Sequence, residues 1–131
     1  MKNYGFTMIE LLIVITLSVL LTAIVAPNLW GQLISYREKT NIESFLSDVK
    51  SSMLKNRKHG GGFVLSRHSD TATALAKKHN IEIVNDQSVT FRADKVCSGG
   101  DILIKTPNER YWRLSFSPLD CKLDLIYVPK K

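Results

Sequence analysis

The chain has 131 residues, a formal net charge of +6 and 44% hydrophobic residues. That length has room for one small domain beside a membrane segment. The basic surplus is moderate; it suits an acidic partner without requiring one.

The first element expected in chain order is an apolar helix. Between Gly5 and Tyr36 the only charged side chain is Glu10. A carboxylate placed in hydrocarbon costs roughly +2.5 to +3.5 kcal/mol even on lenient insertion scales, so by default it marks a functional position with a cationic partner to be found. From Phe6 to Ala26 a helix covers about 31 Å at 1.5 Å per residue, enough for the hydrocarbon core. No small-residue cleavage site of the secretory type comes after the apolar run. The chain continues instead with Pro27-Asn28-Leu29-Trp30-Gly31.

The short basic segment Met1-Lys2-Asn3-Tyr4-Gly5, then Phe6-Thr7-Met8-Ile9-Glu10 and an aliphatic helix, closely resembles the N-terminus of type IV prepilins and of type II secretion pseudopilins. The resemblance covers about the first thirty residues and implies a defined order of events. Lys2 favours a cytoplasmic leader. A membrane-embedded prepilin peptidase cuts between Gly5 and Phe6 and methylates Phe6. Glu10 then guides the subunit into register by meeting the amine of a neighbour's Phe6. Pairing these groups removes two desolvation costs together, and a subunit out of step leaves both charges unpaired. The implied organisation is a leader at 1–5, a transmembrane and assembly helix at 6–36, and a periplasmic globular domain at 37–131.

The same helix is expected to continue to about Asn56 and to become amphipathic. Ile34, Ile42, Phe45, Leu46, Val49 and Met53 recur at helical spacing, with Arg37, Lys39, Glu43, Asp48 and Lys50 interleaved. Pro27 removes a backbone donor and Gly31 lowers helix propensity, so a kink or loosening is expected between them. Trp30 and Tyr36 suit a membrane interface. Gly60-Gly61-Gly62 ends the helix after a basic last stretch that complements its dipole.

Phe63-Val64-Leu65 reads as an edge strand or a docked segment, and Ser69-Asp70 as the cap of a short second helix over Thr71–His79 that stops at Asn80. From Ile81 the pattern is strands: 81–84, 89–92, 102–105, 111–116 and 123–128. Pro107-Asn108-Glu109-Arg110 reads as a hairpin turn. Trp112, Leu114 and Phe116 alternate with Arg113 and Ser115, giving one apolar and one wet face. The expected fold class is α+β and pilin-like, a long N-terminal helix packed on a C-terminal antiparallel sheet.

Cys97 and Cys121 both fall in the part expected to be exported, where such a pair reads as a disulfide closing roughly 25 residues. Free thiols or a metal site are the alternatives, although Ser98, Gly99, Gly100 and Asp120 offer no zinc spacing. The family's habit of stapling its C-terminal region also implies the Cys97–Cys121 pairing.

No catalytic constellation emerges. His59, His68 and His79 lie among basic and small residues and read as solvated surface, without a triad or metal partner. The serines lack a nucleophile elbow, and the triple glycine lacks a phosphate-loop continuation. Neither enzyme activity nor a cofactor is expected.

The expected partners are other pilin or pseudopilin subunits, the peptidase and an inner-membrane assembly platform. The small soluble part points to a minor subunit, although no Gly-Arg motif of the kind some minor subunits carry lies near the C-terminus. The alternative expectation is a DNA-binding minor pilin of a DNA-uptake (competence) pilus, with Lys50, Lys55, Arg57, Lys58, Lys77, Lys78, Lys130 and Lys131 forming a stripe that contacts DNA or another acidic partner.

Overall fold

The computed structural model describes residues 5–130. The leader residues 1–4, with Lys2, and the tail residue Lys131 lie outside the described residues. Helix α1 runs Met8–Lys58, two residues later at its start than expected. Thr7 precedes it, and its carbonyl accepts from the backbone N–H groups of Glu10 and Leu11 at 3.1 and 3.2 Å. The chain divides into two compact units, Met1–Arg37 and Glu38–Lys131.

In the first unit the helix continues through Pro27 and Gly31 without an interruption. Pro27 has no N–H, so the carbonyl of Ala23 lacks its helical donor. In the second unit α1 ends at the glycines. Gly60 takes a left-handed φ of 75°, Gly61 N–H bonds Asn56 C=O at 2.9 Å, and Gly60 N–H bonds Arg57 C=O at 3.0 Å. This pair of bonds is the Schellman closure that a left-handed residue after the cap permits.

Strand β1 (Phe63–Leu65) leads to helix α2 (Asp70–Lys78). Asn80 ends α2 as glycine ends α1: its φ is 54°, its N–H bonds Lys77 C=O, and Ile81 N–H bonds Ala76 C=O at 2.8 Å. Ile81 and Ala76 are both buried, supplying the apolar contact of that motif. The Ser69 side chain makes no capping bond; its carbonyl accepts from Thr73 N–H instead.

Strands β2 (Glu82–Ile83), β3 (Val89–Phe91), β4 (Gly100–Lys105), β5 (Tyr111–Phe116) and β6 (Leu123–Val128) complete the domain. They form two antiparallel sheets rather than one. β1 pairs with β3, while β2, β4, β5 and β6 make a four-stranded sheet in that order. β2 is shorter than its apolar run because the α2 cap takes Ile81 at one end. At the other end the Asn85 side chain replaces the backbone ladder, donating to Asp101 C=O at 2.7 Å and accepting from Leu103 N–H at 2.9 Å.

The core lies between the C-terminal half of α1 and the apolar faces of both sheets. Ile42, Phe45 and Val49 of α1 are buried in one cluster with Ile102, Ile104, Trp112, Leu114 and Phe116. Phe91 of β3 meets Phe116 of β5 edge-on at 5.4 Å, joining the small sheet to the large one. This is the α+β layout of a long helix packed on an antiparallel sheet. Full burial of each large side chain contributes about 1.5–3 kcal/mol.

Candidate functional site

The membrane-type segment is built from the chain outward. Phe6 lies before the first helical turn and is 74% exposed. Glu10 falls in that turn, where a carboxylate complements the positive helix end. Aliphatic side chains from Met8 to Val25 project on all sides with no protein cover, and the most apolar 18-residue window has a mean hydropathy of 2.6 and is 0% buried. A helix apolar all round belongs in an apolar medium.

The hydroxyls of this stretch are satisfied within the helix itself. Thr16 bonds Leu12 C=O at 2.8 Å, Ser18 bonds Val14 C=O at 2.8 Å, and Thr22 bonds Val19 C=O at 2.9 Å. That is the arrangement a lipid environment requires. Glu10 is then the single ionisable side chain from Phe6 to Ser35. By length and composition this segment can anchor the chain in a membrane.

The prokaryotic N-terminal methylation motif matches residues 1–26. The chain therefore carries the N-terminal signature shared by type IV pilins and pseudopilins. The matched part contains Gly5, Phe6 and Glu10 and stops just before Pro27. No curated protein and no solved structure matches the chain.

The disulfide joins Cys97 to Cys121 with Cα atoms 5.7 Å apart, so neither cysteine is a free thiol or a metal ligand here. It ties the segment before β4 to the β5–β6 connection. Among the described residues, no three His, Cys, Asp or Glu side chains gather as a metal cluster.

The basic residues fall in three places. Lys50, Lys55, Arg57 and Lys58 lie along the last part of α1. Lys77 and Lys78 end α2, and the Lys78 amine is held by Asp48 at 2.7 Å. Lys130 Nζ lies 3.7 Å from Glu109. Lys50 and Arg57 share one cleft of about 190 Å³ with Arg92 and Lys95, two cations that the sequence pattern did not single out.

Two further residues escaped sequence reasoning. Glu38 is 5% exposed and continues the buried α1 stripe of Ile42, Phe45 and Val49. Its Oε1 accepts from Thr106 Oγ1 at 2.9 Å and Asn108 Nδ2 at 2.8 Å, while Oε2 lies 3.6 Å from Arg110 Nη1. One turn before Ile42, its spacing was the available signal, but a charged residue there reads as solvated. His79 corrects the expectation of a solvated surface histidine: its side chain is only 14% exposed. Its Nε2 lies 2.9 Å from Asp48 Oδ2, and its ring stands edge-on to Phe45. Bonds from Lys78 and then His79 hold the Asp48 carboxyl below its ordinary value of 3.8.

Proposed function

We propose that this chain is a structural subunit, of the minor kind, of a type IV pilus or type II secretion pseudopilus. It is made as a prepilin, cut by the prepilin peptidase between Gly5 and Phe6, and methylated on Phe6. It waits in the bacterial inner membrane as a single-pass protein with its C-terminal domain in the periplasm. From there the assembly platform draws it into the fibre beside other pilin or pseudopilin subunits. The observation that carries this reading is the methylation-motif match over residues 1–26, laid on an uncovered apolar helix with one carboxylate.

In the fibre, Glu10 accepts the charged amine of an adjoining subunit's Phe6. Each charge alone in a low-dielectric bundle is strongly unfavourable, so the pair fixes axial register. Pro27 and Gly31 supply a stretch where the helix can give as it packs. The basic residues support DNA contact less well, because Lys78 and Lys130 already face Asp48 and Glu109.

Mass analysis of the mature chain, with fractionation of sheared fibres, tests the proposal. The wild type begins at methylated Phe6. Gly5→Ala accumulates as an uncut precursor, whereas Glu10→Ala is cut normally but enters fibres poorly. A mature chain that retains Met1, or that has lost the apolar helix, overturns the reading.

A further inference from the structure

Strand β6 is the outer strand of the four-stranded sheet, and its pairing register fixes where its amides point. Ser117 N–H bonds Lys122 C=O at 2.9 Å, so Ser117 turns its amide toward β6 and the orientation alternates from there along the ladder. Phe116↔Leu123, Leu114↔Leu125 and Trp112↔Tyr127 are therefore the non-bonded pairs of the β5–β6 ladder. The N–H and C=O groups of Leu123, Leu125 and Tyr127 consequently point away from β5. Such an open edge is a template for another strand.

At the start of this edge, next to Leu123, lies a groove of about 550 Å³ lined mainly by Leu46, Val49 and Met53 of α1 with Phe116 and Cys121, and with Glu43 and Ser47 among its polar residues. Lys50, Met53, Phe91 and Cys121 also line the adjoining cleft, whose rim carries Arg57, Arg92 and Lys95. Arg92 lies 3.3 Å from Asp94. Lys50, Arg57 and Lys95 have no ion pair within 4 Å among the described residues. The start of the hydrogen-bonding edge thus meets a largely apolar groove that adjoins a cleft carrying cations.

We infer that the β6 edge and this groove form a docking site for an extended polypeptide segment of another protein, apolar along its length and ending in carboxylates. Each part of the site selects part of that occupant. A polypeptide backbone matches both the N–H and the C=O groups of Leu123, Leu125 and Tyr127 at their strand spacing. The trough takes its alternate side chains. Every neighbouring pair in this sheet is antiparallel, and a segment added antiparallel to β6 brings its C-terminal end to the start of that strand, beside Cys121 and the cations. A nucleic acid backbone matches the cations but neither the apolar trough nor the edge. A second copy fits less well, since antiparallel β6 strands would bring Lys122 of one to the Lys130 end of the other. This inference does not depend on the polymerisation proposal.

The test uses the full chain in detergent micelles, followed by amide resonances and hydrogen exchange. The probes are a seven-residue threonine–valine repeat ending in aspartate and glutamate, the same repeat ending in two lysine amides, and a twelve-base-pair DNA duplex. The acid-ended peptide should slow exchange at Leu123, Leu125 and Tyr127. It should bind about five- to tenfold tighter than the basic one at low salt, with the gap closing at high salt. Lys50→Glu with Lys95→Glu should reverse that preference and leave the β4–β5 amide resonances unchanged. Equal binding of the two peptides, absence of β6 protection, preferential binding of the duplex, or the same protection from self-association alone would overturn the inference.

Discussion

Glu38→Ala is the substitution that most sharply tests how α1 is fastened to the sheet. The wild-type carboxylate is 5% exposed and accepts two hydrogen bonds, from Thr106 at 2.9 Å and Asn108 at 2.8 Å. Each hydrogen bond to a charged group contributes about 1.5–3 kcal/mol. Against this stands the cost of burying the carboxylate, which offsets much of the gain for any buried pair.

Removing the acceptor leaves the Asn108 amide without this partner and the Thr106 hydroxyl with only the Arg110 carbonyl, at 3.3 Å. It also leaves the Arg110 guanidinium without the carboxylate at 3.6 Å. Arg110 is 28% exposed on its side chain and can recover water, so the full loss of about 3–5 kcal/mol seen on breaking a buried pair does not apply. The expected loss is about 2–3 kcal/mol. Urea unfolding of the full chain in detergent, with the disulfide intact, measures it. Glu38→Gln should recover part of the loss, because an amide oxygen can still accept from Thr106 and Asn108. A loss below about 0.5 kcal/mol for Glu38→Ala, as expected of exposed pairs, would refute the claim that this network fastens the helix.

Two further predictions concern the globular unit. Asp48 has a depressed carboxyl pKa, caused first by Lys78 and then by His79. Its contribution is therefore complete above the unfolded value and declines as pH falls through the lowered folded value, so the affected window lies below about pH 4. Asp48→Asn should flatten that acid limb of a stability–pH curve, and an unchanged limb would count against the assignment. Reducing Cys97–Cys121, which are 24 residues apart, should lower stability by about 3.5 kcal/mol on the chain-entropy account. Thermal unfolding with and without reductant reads this directly, and equal transitions would contradict it.

The parts legible in the sequence are those set by neighbours along the chain. Hydropathy and the single carboxylate at Glu10 marked the N-terminal segment, since lipid cover depends on uninterrupted apolar length. The α1 terminus at Gly60, the α2 stop at Asn80 and strands β5 and β6 arose from local capping, turn chemistry and alternation. Tertiary structure decided the rest, because it depends on contacts between residues far apart. Glu38 is held from positions 68 and 70 residues away, so its spacing on the α1 stripe could not show what would hold a carboxylate there. The division into two sheets, the capture of Lys78 and His79 by Asp48, and the open β6 edge likewise arise only when distant segments meet. Periodicity tells a segment which of its faces is apolar. The packed chain alone determines what that face meets and which backbone groups remain for a partner.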